Sequence, residues 1–288
     1  MTENRVAATA MALLAFQGNG NTHKAGTHSR FVARGMEALL KNQGPDGDFF
    51  PDAEGSFNHP MYSRAIALIA ICELYGMTKD AKYRQRAQRA LDYAVKSQSP
   101  ELGGWRYVPC EDSDTSVTGW FVMALQSGLM AGLDVPTPTL DRVRKYLDSA
   151  TTDGVRYAYR PGAEPSVTMT AEALLCRQYL GWPRDEPRLR EGVKYLLANP
   201  VTYKDQNTYY WYYATQVLHH MGGKEWDQWN RVMREQVPKQ QVKEGKERGS
   251  WEPGHDGTWG PMAGRLYTTC LSLYLLEVYY RHLPLYKH

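Results

Sequence analysis

One pattern recurs five times along the chain: a helical segment with one polar face, a loop with glycine and an aromatic residue, and a more apolar helical segment. The polar-faced copies read GMEALLKNQ, ALDYAVKSQ, VRKYLDSA, GVKYLLANP and QWNRVMREQ, at 35–43, 90–98, 143–150, 192–200 and 228–236. Self-similarity at a period of roughly 40 to 55 residues indicates that one supersecondary unit is reused. A helical hairpin is the unit that this pattern predicts.

The apolar segments differ from the polar-faced ones in composition. Residues 209–213, YYWYY, are aromatic on all sides, as expected of a helix that is buried on several faces. Residues 82–96 instead carry Arg, Lys and Gln between their apolar positions, which is typical of a helix with one face in water. The apolar segments therefore predict an inner layer of helices, which begin near Tyr62, Asp114, Ser166, Thr208 and Arg265.

The number of helices predicts the architecture. With an opening helix from Arg5 to Phe16, six inner helices face five outer ones, so we predict an all-α fold, an (α/α)6 toroid or barrel with at least five outer helices. The unequal numbers suggest either that an outer helix preceding Met1 has been trimmed away, which we favour, or that another segment or a neighbouring molecule covers the first inner helix. No linker interrupts the repeats, so residues 1–288 are predicted to form one domain.

Charge and cysteine usage narrow the class of protein. The formal net charge is only +3, and no Lys/Arg run alternates with aromatics, so nucleic acid is not an expected partner. No apolar stretch reaches the roughly 18 residues of a membrane span, and the amino terminus does not resemble a signal peptide. These features favour a cytoplasmic or membrane-peripheral protein. The four cysteines lack CxxC spacing and are expected to be buried free thiols: Cys72, Cys110, Cys176 and Cys270.

Loop lengths locate the expected functional end. Connections that lead into inner helices are long, such as 44–60 and 237–264, whereas those that leave them are short, such as 76–80 and 132–139. Long loops in compact domains are usually functional. We therefore expect a pocket where the inner helices begin, at an end that helix amino termini make favourable for anionic groups.

Residues 90–105, ALDYAVKSQSPELGGW, resemble the QW repeat of squalene–hopene and oxidosqualene cyclases. The whole chain is similar to the prenyltransferase and squalene-oxidase repeat proteins of planctomycete-type bacteria, through stretches such as 114–128, 209–223 and 264–286. The resemblance implies the (α/α) toroid of class II terpene cyclases and of protein prenyltransferase β subunits. It implies activity less firmly, because one fold hosts many functions.

The candidate acid lies in EDSDTS, residues 111–116. This segment resembles the D-x-D-D-T motif of class II cyclases, whose central acid protonates an alkene or epoxide. If Asp112 and Asp114 match the first two acids, Asp114 is the donor, its partner is Asp112, and Thr115 replaces the third acid. If Asp114 and Thr115 match the end of the motif, Ser113 replaces the donor. The competing interpretation is that Asp114 only caps the following helix.

Aromatic side chains supply the second candidate feature. Rings near the starts of inner helices would stabilise carbocations or hold prenyl chains, although they are equally suited to filling a wide core. The predicted ligand-binding residues are Tyr62, Trp105, Tyr107, Thr115, Trp120, Tyr209, Tyr210, Trp211 and Tyr267.

A zinc site of the protein prenyltransferase type is not expected. Matching 205–211 and 266–270 to those motifs keeps Asp205 but places Asn207 and Thr268 where the resemblance requires a thiolate and a histidine. His59 and His255 could meet Asp52 or Asp256, which is a weaker hypothesis. We predict neither a metal nor a cofactor.

The sequence leaves three functions open. The first is a terpene cyclase-like protein that binds a polyprenyl or other apolar small molecule, with proton-initiated cyclisation as its activity and contact with a membrane surface as an option. The second is a binding or scaffold toroid without catalysis. The third is a carbohydrate-active (α/α) barrel, in which paired carboxylates would act, from the set Asp48, Asp112, Asp114, Glu164 and Asp205.

Overall fold

The computed structural model describes residues 4–50, 59–255, 257, 259–281 and 285, and this part of the chain is helical without a β-strand. Isolated β-bridges join a few loop residues. The α-helices within the described residues are α1 (Arg5–Gly18), α2 (Ser29–Leu40), α3 (Pro60–Thr78), α4 (Ala81–Lys96), α5 (Thr115–Ala131), α6 (Thr137–Ser149), α7 (Val167–Tyr179), α8 (Pro187–Leu197), α9 (Thr208–Met221), α10 (Gly223–Lys239), α11 (Gly260–Ala263) and α12 (Arg265–Arg281). The predicted all-α class is confirmed.

Contacts between Cα atoms group the chain into two compact units. The first comprises Met1–Ala150 with Tyr159–Pro161, and the second comprises Thr151–Ala158 with Gly162–His288. In the first unit α3 packs between α1 and α5, while α2 packs on α1, α4 on α3 and α5, and α6 on α5. In the second unit α9 packs between α7 and α12, with α8 and α10 against them. The prediction that the chain forms a single domain stays a prediction.

Burial separates the helices into the two predicted kinds. Helix α5 has no charged residue and buries side chains on all of its faces, whereas α4 buries only the stripe of Tyr83, Ala87, Ala90, Leu91 and Ala94. The inner type comprises α1, α3, α5, α7, α9 and α12, and the outer type comprises α2, α4, α6, α8 and α10. The inner helices begin within two residues of the predicted starts. Apolar composition and one-sided polarity were therefore sufficient to assign the layers.

The thiols and the helix lengths bear on two further expectations. Cys72, Cys176 and Cys270 are buried and free, as predicted. Cys110 is also free but exposed, which corrects the prediction, because it lies in the loop before α5 and not in an apolar helix. Within the described residues, every helix is too short or too polar to cross a membrane.

A glutamine at the end of an outer helix connects successive repeats in the first unit. The Gln98 side-chain amide donates to the carbonyl oxygens of Gly103 and Thr139, at 2.8 and 3.0 Å, and its oxygen accepts from Arg142 at 2.7 Å. Gln43 makes the corresponding bonds to Gly47 and Arg86 one repeat earlier. These bonds explain why glutamine recurs at this position of the repeat: its side chain joins one loop to the next outer helix.

Glycine is required at position 103 for two reasons. Its φ of +84° lies in the left-handed region, and a Cβ atom there would lie 2.4 Å from the carbonyl oxygen of Arg142. The equivalent Gly47 has φ +98° and the same close approach to α4, at 2.2 Å from the carbonyl oxygen of Arg89. The glycine of the repeat therefore lets a loop touch the backbone of the next outer helix.

Gly103→Ala should destabilise the protein far more than Gly132→Ala. Gly132 also has a positive φ, +75°, but a Cβ atom at that position meets nothing within 4 Å. We expect the control to cost about 1–2 kcal/mol for the left-handed backbone alone, and Gly103→Ala to cost at least about 2 kcal/mol more for the clash. Urea unfolding of both variants measures the difference. Equal losses would contradict the proposed packing role of the glycine.

Candidate functional site

Asp114 is the residue immediately before α5, and it caps that helix. Its backbone is extended, and its Oδ1 accepts from the Val117 N–H at 2.7 Å. Ser166 caps α7 in the same way, and Asn207 caps α9. Asp114 therefore does cap α5, as the capping interpretation predicts. Capping itself needs only a side-chain oxygen, so it does not account for a carboxyl group at this position.

The Asp114 carboxyl has partners beyond the helix that it caps. The residue is 0% exposed, and its Oδ2 accepts from the Tyr159 hydroxyl at 2.8 Å. The Nε atom of Arg106 lies 3.4 Å from the same oxygen. Tyr159 is held in turn through its carbonyl oxygen, which accepts from the Thr115 N–H at 2.9 Å. A buried carboxyl between a phenol and a guanidinium is a chemically distinctive arrangement.

Burial and hydrogen bonding act in opposite directions on this carboxyl group. Burial is the larger effect and raises the pKa of Asp114 to about 6, while the Val117 N–H, the Tyr159 hydroxyl and the Arg106 charge favour the ionised form and limit the rise. A carboxyl group with a pKa near 6 exchanges protons close to neutral pH. That property suits general acid–base chemistry.

Two tyrosines form a hydrogen-bonded chain that leads away from Asp114. The hydroxyl oxygens of Tyr107 and Tyr159 are 2.6 Å apart, and because Tyr159 donates its one proton to Asp114, Tyr107 must donate to Tyr159. Tyr107 is half-buried and stacks on His59, with ring centroids 4.0 Å apart. The chain therefore connects a fully buried carboxyl to a tyrosine that is partly exposed.

Asp112 contacts arginines and not Asp114. Its Oδ2 lies 2.6 Å from Nη1 of Arg106 and 3.2 Å from Nη2 of Arg160, and its side chain is 29% exposed. Partial burial by itself would raise the pKa of Asp112, but the Ser113 N–H and the two arginines outweigh it and lower that pKa. Arg106 thus contacts both predicted acids. At neutral pH Asp112 is ionised, whereas Asp114 has a pKa of about 6 and changes its protonation close to neutrality.

The other predicted residues of the first unit have different positions. The Tyr62 hydroxyl donates to Ser116 at 3.0 Å, and Thr115 Oγ1 lies 3.3 Å from the Tyr146 hydroxyl. Trp120 is buried on α5. Trp105 Nε1 donates to the Ala94 carbonyl at 2.9 Å, so its indole fills the space between α4 and α5.

Of the predicted residues in the second unit, Tyr210 and Trp211 are buried, whereas Tyr209 and Tyr267 are half-buried. The Tyr210 hydroxyl donates to the carbonyls of Leu196 and Asn199, so this ring lies between α9 and the end of α8. Tyr209 is half-buried, and its hydroxyl lies 3.3 Å from both carboxylate oxygens of Glu172. Trp211 is buried, with its ring 5.0 Å from that of Tyr203, and Tyr267 is half-buried.

Sequence reasoning missed three residues of interest: Arg106, Tyr159 and Glu172. The available signal for the first two was that the loops before α5 and α7 both carry adjacent Arg and Tyr, as Arg106-Tyr107 and Tyr159-Arg160. Glu172 is fully buried on α7, two residues from Leu174, which packs on Gly192 of α8. Two residues are about 200° on a helix, so Glu172 lies on the face away from α8.

The second unit contains a cavity, and the described residues contain no cluster of metal ligands. A cavity of about 730 Å³ lies at the end of the second unit where α9 begins, lined by residues 203–207 with Gly254, His255 and Gly257. No group of three or more His, Cys, Asp or Glu side chains in the described ranges could hold a metal ion. Asp52 and Asp256, which His59 and His255 were considered to meet, lie outside these ranges. Asp48 forms a buried ion pair with Arg64 at 2.6 Å.

No protein-family model and no curated protein matches this sequence. Solved structures do match its fold. An α-1,6-mannanase of a Salegentibacter species superposes with a TM-score of 0.64 at 10% identity, covering 95% of this chain and 88% of the mannanase. Protein geranylgeranyltransferase-I of Candida albicans, complexed with GGPP, gives 0.63 at 12% identity and covers 96% and 84%. A type II terpene cyclase of Scytonema, in complex with geranylgeranyl dihydroxybenzoate, gives 0.59 at 15% identity and covers 96% and 86%.

All three are (α/α) toroid proteins, so the predicted toroid fold is confirmed. Identities of 10–15% establish the fold alone. The matches include terpene cyclases and a prenyltransferase, as the resemblance implied, and also carbohydrate-active enzymes.

The buried carboxyl predicts a specific dependence of stability on pH. The folded pKa of Asp114, about 6, lies above its ordinary value of 3.8, so its contribution is fully present below pH 4 and is lost as the pH rises through 6. The free energy of unfolding of the wild type, relative to Asp114→Asn, should therefore fall by about 2–3 kcal/mol between pH 4 and pH 7. Urea unfolding at four pH values measures this difference. Asparagine retains a capping oxygen, so a difference independent of pH would contradict the assignment.

Proposed function

We propose that this protein binds an isoprenoid or other extended apolar ligand and transfers a proton to it in a terpene cyclase-like reaction, with Asp114 as the acid. The observation that carries the proposal is the buried carboxyl of Asp114 at a capping position where Ser166 and Asn207 suffice elsewhere. Its pKa of about 6 and its hydrogen-bonded tyrosines suit proton transfer.

The hydrogen bonds of the two tyrosines support a proposed route for the proton. Protonated Asp114 donates to the Tyr159 hydroxyl, Tyr159 passes its proton to Tyr107, and Tyr107 gives its own proton to the ligand. Each hydroxyl ends with one proton, and the carboxyl becomes a carboxylate. Because a phenol hydrogen-bonds an oxygen before transferring a proton to it, an epoxide oxygen is a better acceptor for this chain than an alkene carbon.

Arg106 stabilises the product of this transfer. Its Nε atom is 3.4 Å from Asp114, so the negative charge that develops on the carboxylate meets a fixed positive charge in a site shielded from water. Asp112 holds Arg106 through an ion pair of 2.6 Å and so acts as a positioning residue. We therefore propose that Asp112 assists Asp114 through Arg106, and not by direct contact.

Aromatic residues are proposed to contact the ligand. Half-buried or buried rings on inner-type helices and their loops can stabilise positive charge and hold an apolar chain. In the first unit we retain Tyr62, Tyr107 and Trp120, with Thr115 as polar support, and in the second unit, as a separate set, Tyr209, Trp211 and Tyr267. We leave out Trp105 and Tyr210, because their polar atoms bond to the backbone of outer helices or the loops that follow them. Two of the fold relatives carry geranylgeranyl ligands, which supports an isoprenoid.

A carbohydrate-active enzyme is the second candidate. The mannanase match favours it, and the buried Glu172, whose carboxyl lies beside the Tyr209 hydroxyl, supplies one of the two carboxyl groups that most glycosidases use. An inactive variant of that mannanase, bound to α-1,6-mannotriose, has two consecutive aspartates replaced by asparagine. The present sequence has no Asp-Asp pair, so the chemistry of that pair does not transfer to it.

Product analysis tests the proposal. The protein is incubated with 2,3-oxidosqualene, squalene, farnesyl diphosphate, geranylgeranyl diphosphate and α-1,6-mannotriose, and products are identified by mass spectrometry. We expect a cyclised product, formed at least about a hundredfold more slowly by Asp114→Asn and by Tyr159→Phe, because each breaks the proton chain. Asp141→Asn is the matched control, since Asp141 is 55% exposed and pairs with Arg144 on α6.

Each other outcome has a defined meaning. Release of mannose would replace the proposal with the carbohydrate-active one. A cyclised product that forms equally fast with Asp114→Asn would remove Asp114 as the acid. No product from any of the five compounds, with wild type and variants equally folded, would leave the toroid as a binding or scaffold protein.

A further inference from the structure

Two arginines converge on one carboxylate at the edge of the site. Arg106 and Arg160 come from the loops before α5 and α7, and both lie within 3.2 Å of Asp112 Oδ2. Their side chains are 23% and 47% exposed, so solutes can reach them. We propose that Arg106 and Arg160 bind an oxyanion on the ligand, a phosphate or a carboxylate group, and that this binding is coupled to protonation of Asp114.

The arginines have donors to spare. A guanidinium has five N–H donors in a planar fork that matches an oxyanion, and Asp112 uses one nitrogen of each. Arg106 Nε is buried and faces Asp114 at 3.4 Å, so the donors that remain for an oxyanion are on the other guanidinium nitrogens. The Arg106 guanidinium is held over the rings of Tyr107 and Tyr159, 4.8 and 5.8 Å from their centroids. One arginine is thus fixed and the other is free to adjust, as a binding fork requires.

The charges in the cluster explain the coupling. With Asp114 ionised, two arginines face two carboxylates and the cluster is neutral. With Asp114 protonated, the arginines face Asp112 alone, and one positive charge remains for an oxyanion. By reciprocity, an oxyanion on the arginines favours the protonated form of Asp114. This inference deepens the proposed function, because a ligand with an anionic group would then load the acid that its own reaction uses.

Other groups near Asp114 also respond to pH. Burial, followed by the Arg106 charge, lowers the pKa of His59, so His59 gains its charge only in acid. A charged His59 would also favour an oxyanion, and a variant of Asp114 is therefore needed to separate the two. The titratable and charged groups that surround the Asp114 carboxyl are Arg106, Tyr107, Asp112, Tyr146, Tyr159, Arg160 and, through Tyr107, His59.

Isothermal titration calorimetry with sodium sulfate, an oxyanion whose charge does not change between pH 5 and pH 8, tests the inference without relying on turnover. Titrations at low ionic strength and at pH 5, 6, 7 and 8, each in two buffers of different ionisation enthalpy, give affinity and proton uptake together. We expect affinity to rise about tenfold from pH 8 to pH 5. Proton uptake should be about 0.4 per sulfate at pH 7 and close to zero at pH 5. Sodium phosphate and sodium acetate in place of sulfate show which kind of oxyanion the fork prefers.

Four variants make the result specific. Arg160→Gln should weaken binding about fivefold, and Arg144→Gln, the exposed control on α6, should not change it. Asp114→Asn should bind at pH 8 about as tightly as the wild type at pH 5, without proton uptake. Asp112→Asn should bind more tightly than the wild type, because a tethered competitor is removed.

Unchanged affinity in Arg160→Gln, or weaker binding in Asp112→Asn with its fold intact, would overturn the inference. So would the absence of millimolar binding by all three anions. Binding together with inactive product assays would retain the oxyanion site and reject the cyclase, so the two failures are distinguishable.

Discussion

The first unit depends on the hydrogen bonds of a buried glutamine amide between consecutive outer helices. Gln98 bonds to the loop at Gly103 and to the start of α6 at Thr139, and this fixes where the loop begins its return to α5. The backbone N–H of Trp105 then donates to the Thr118 hydroxyl on α5 at 3.0 Å. The loop is thereby held against the inner helix, and the segment that follows it has little choice of path.

That path makes Asp114 both the cap of α5 and the buried carboxyl that contacts Tyr159 and Arg106. The residue before an inner helix caps it with its side chain in α1, α5, α7 and α9, so this position is used four times. Only at α5 is the capping residue a carboxylic acid buried against a tyrosine and an arginine. A scaffold made of equivalent repeats thus gains a reactive position when the surroundings of one cap change.

Two opposing effects set the pKa of Asp114: burial favours the neutral acid, and the hydrogen bonds and Arg106 favour the carboxylate. A fully buried carboxylate without partners would be neutral at all physiological pH values, and a carboxylate with strong partners would stay ionised. Asp114 has both burial and partners, which places its pKa close to neutrality. Asp112, with more solvent and two arginines, falls on the ionised side. Two carboxyl groups in one short segment therefore have different protonation states for stated reasons.

The sequence by itself determined the helices, their inner or outer layer and the (α/α) toroid, because these follow from local periodicity and from repetition of one unit. It also indicated Asp112 and Asp114, since they lie together in a short acidic segment. Only the tertiary structure placed Tyr159, which is 45 residues from Asp114, against its carboxyl, and showed that Trp105 and Tyr210 fill spaces between helices. Local patterns fix which face of a helix is apolar, whereas the partner of a buried polar group depends on how loops fold back over the helices.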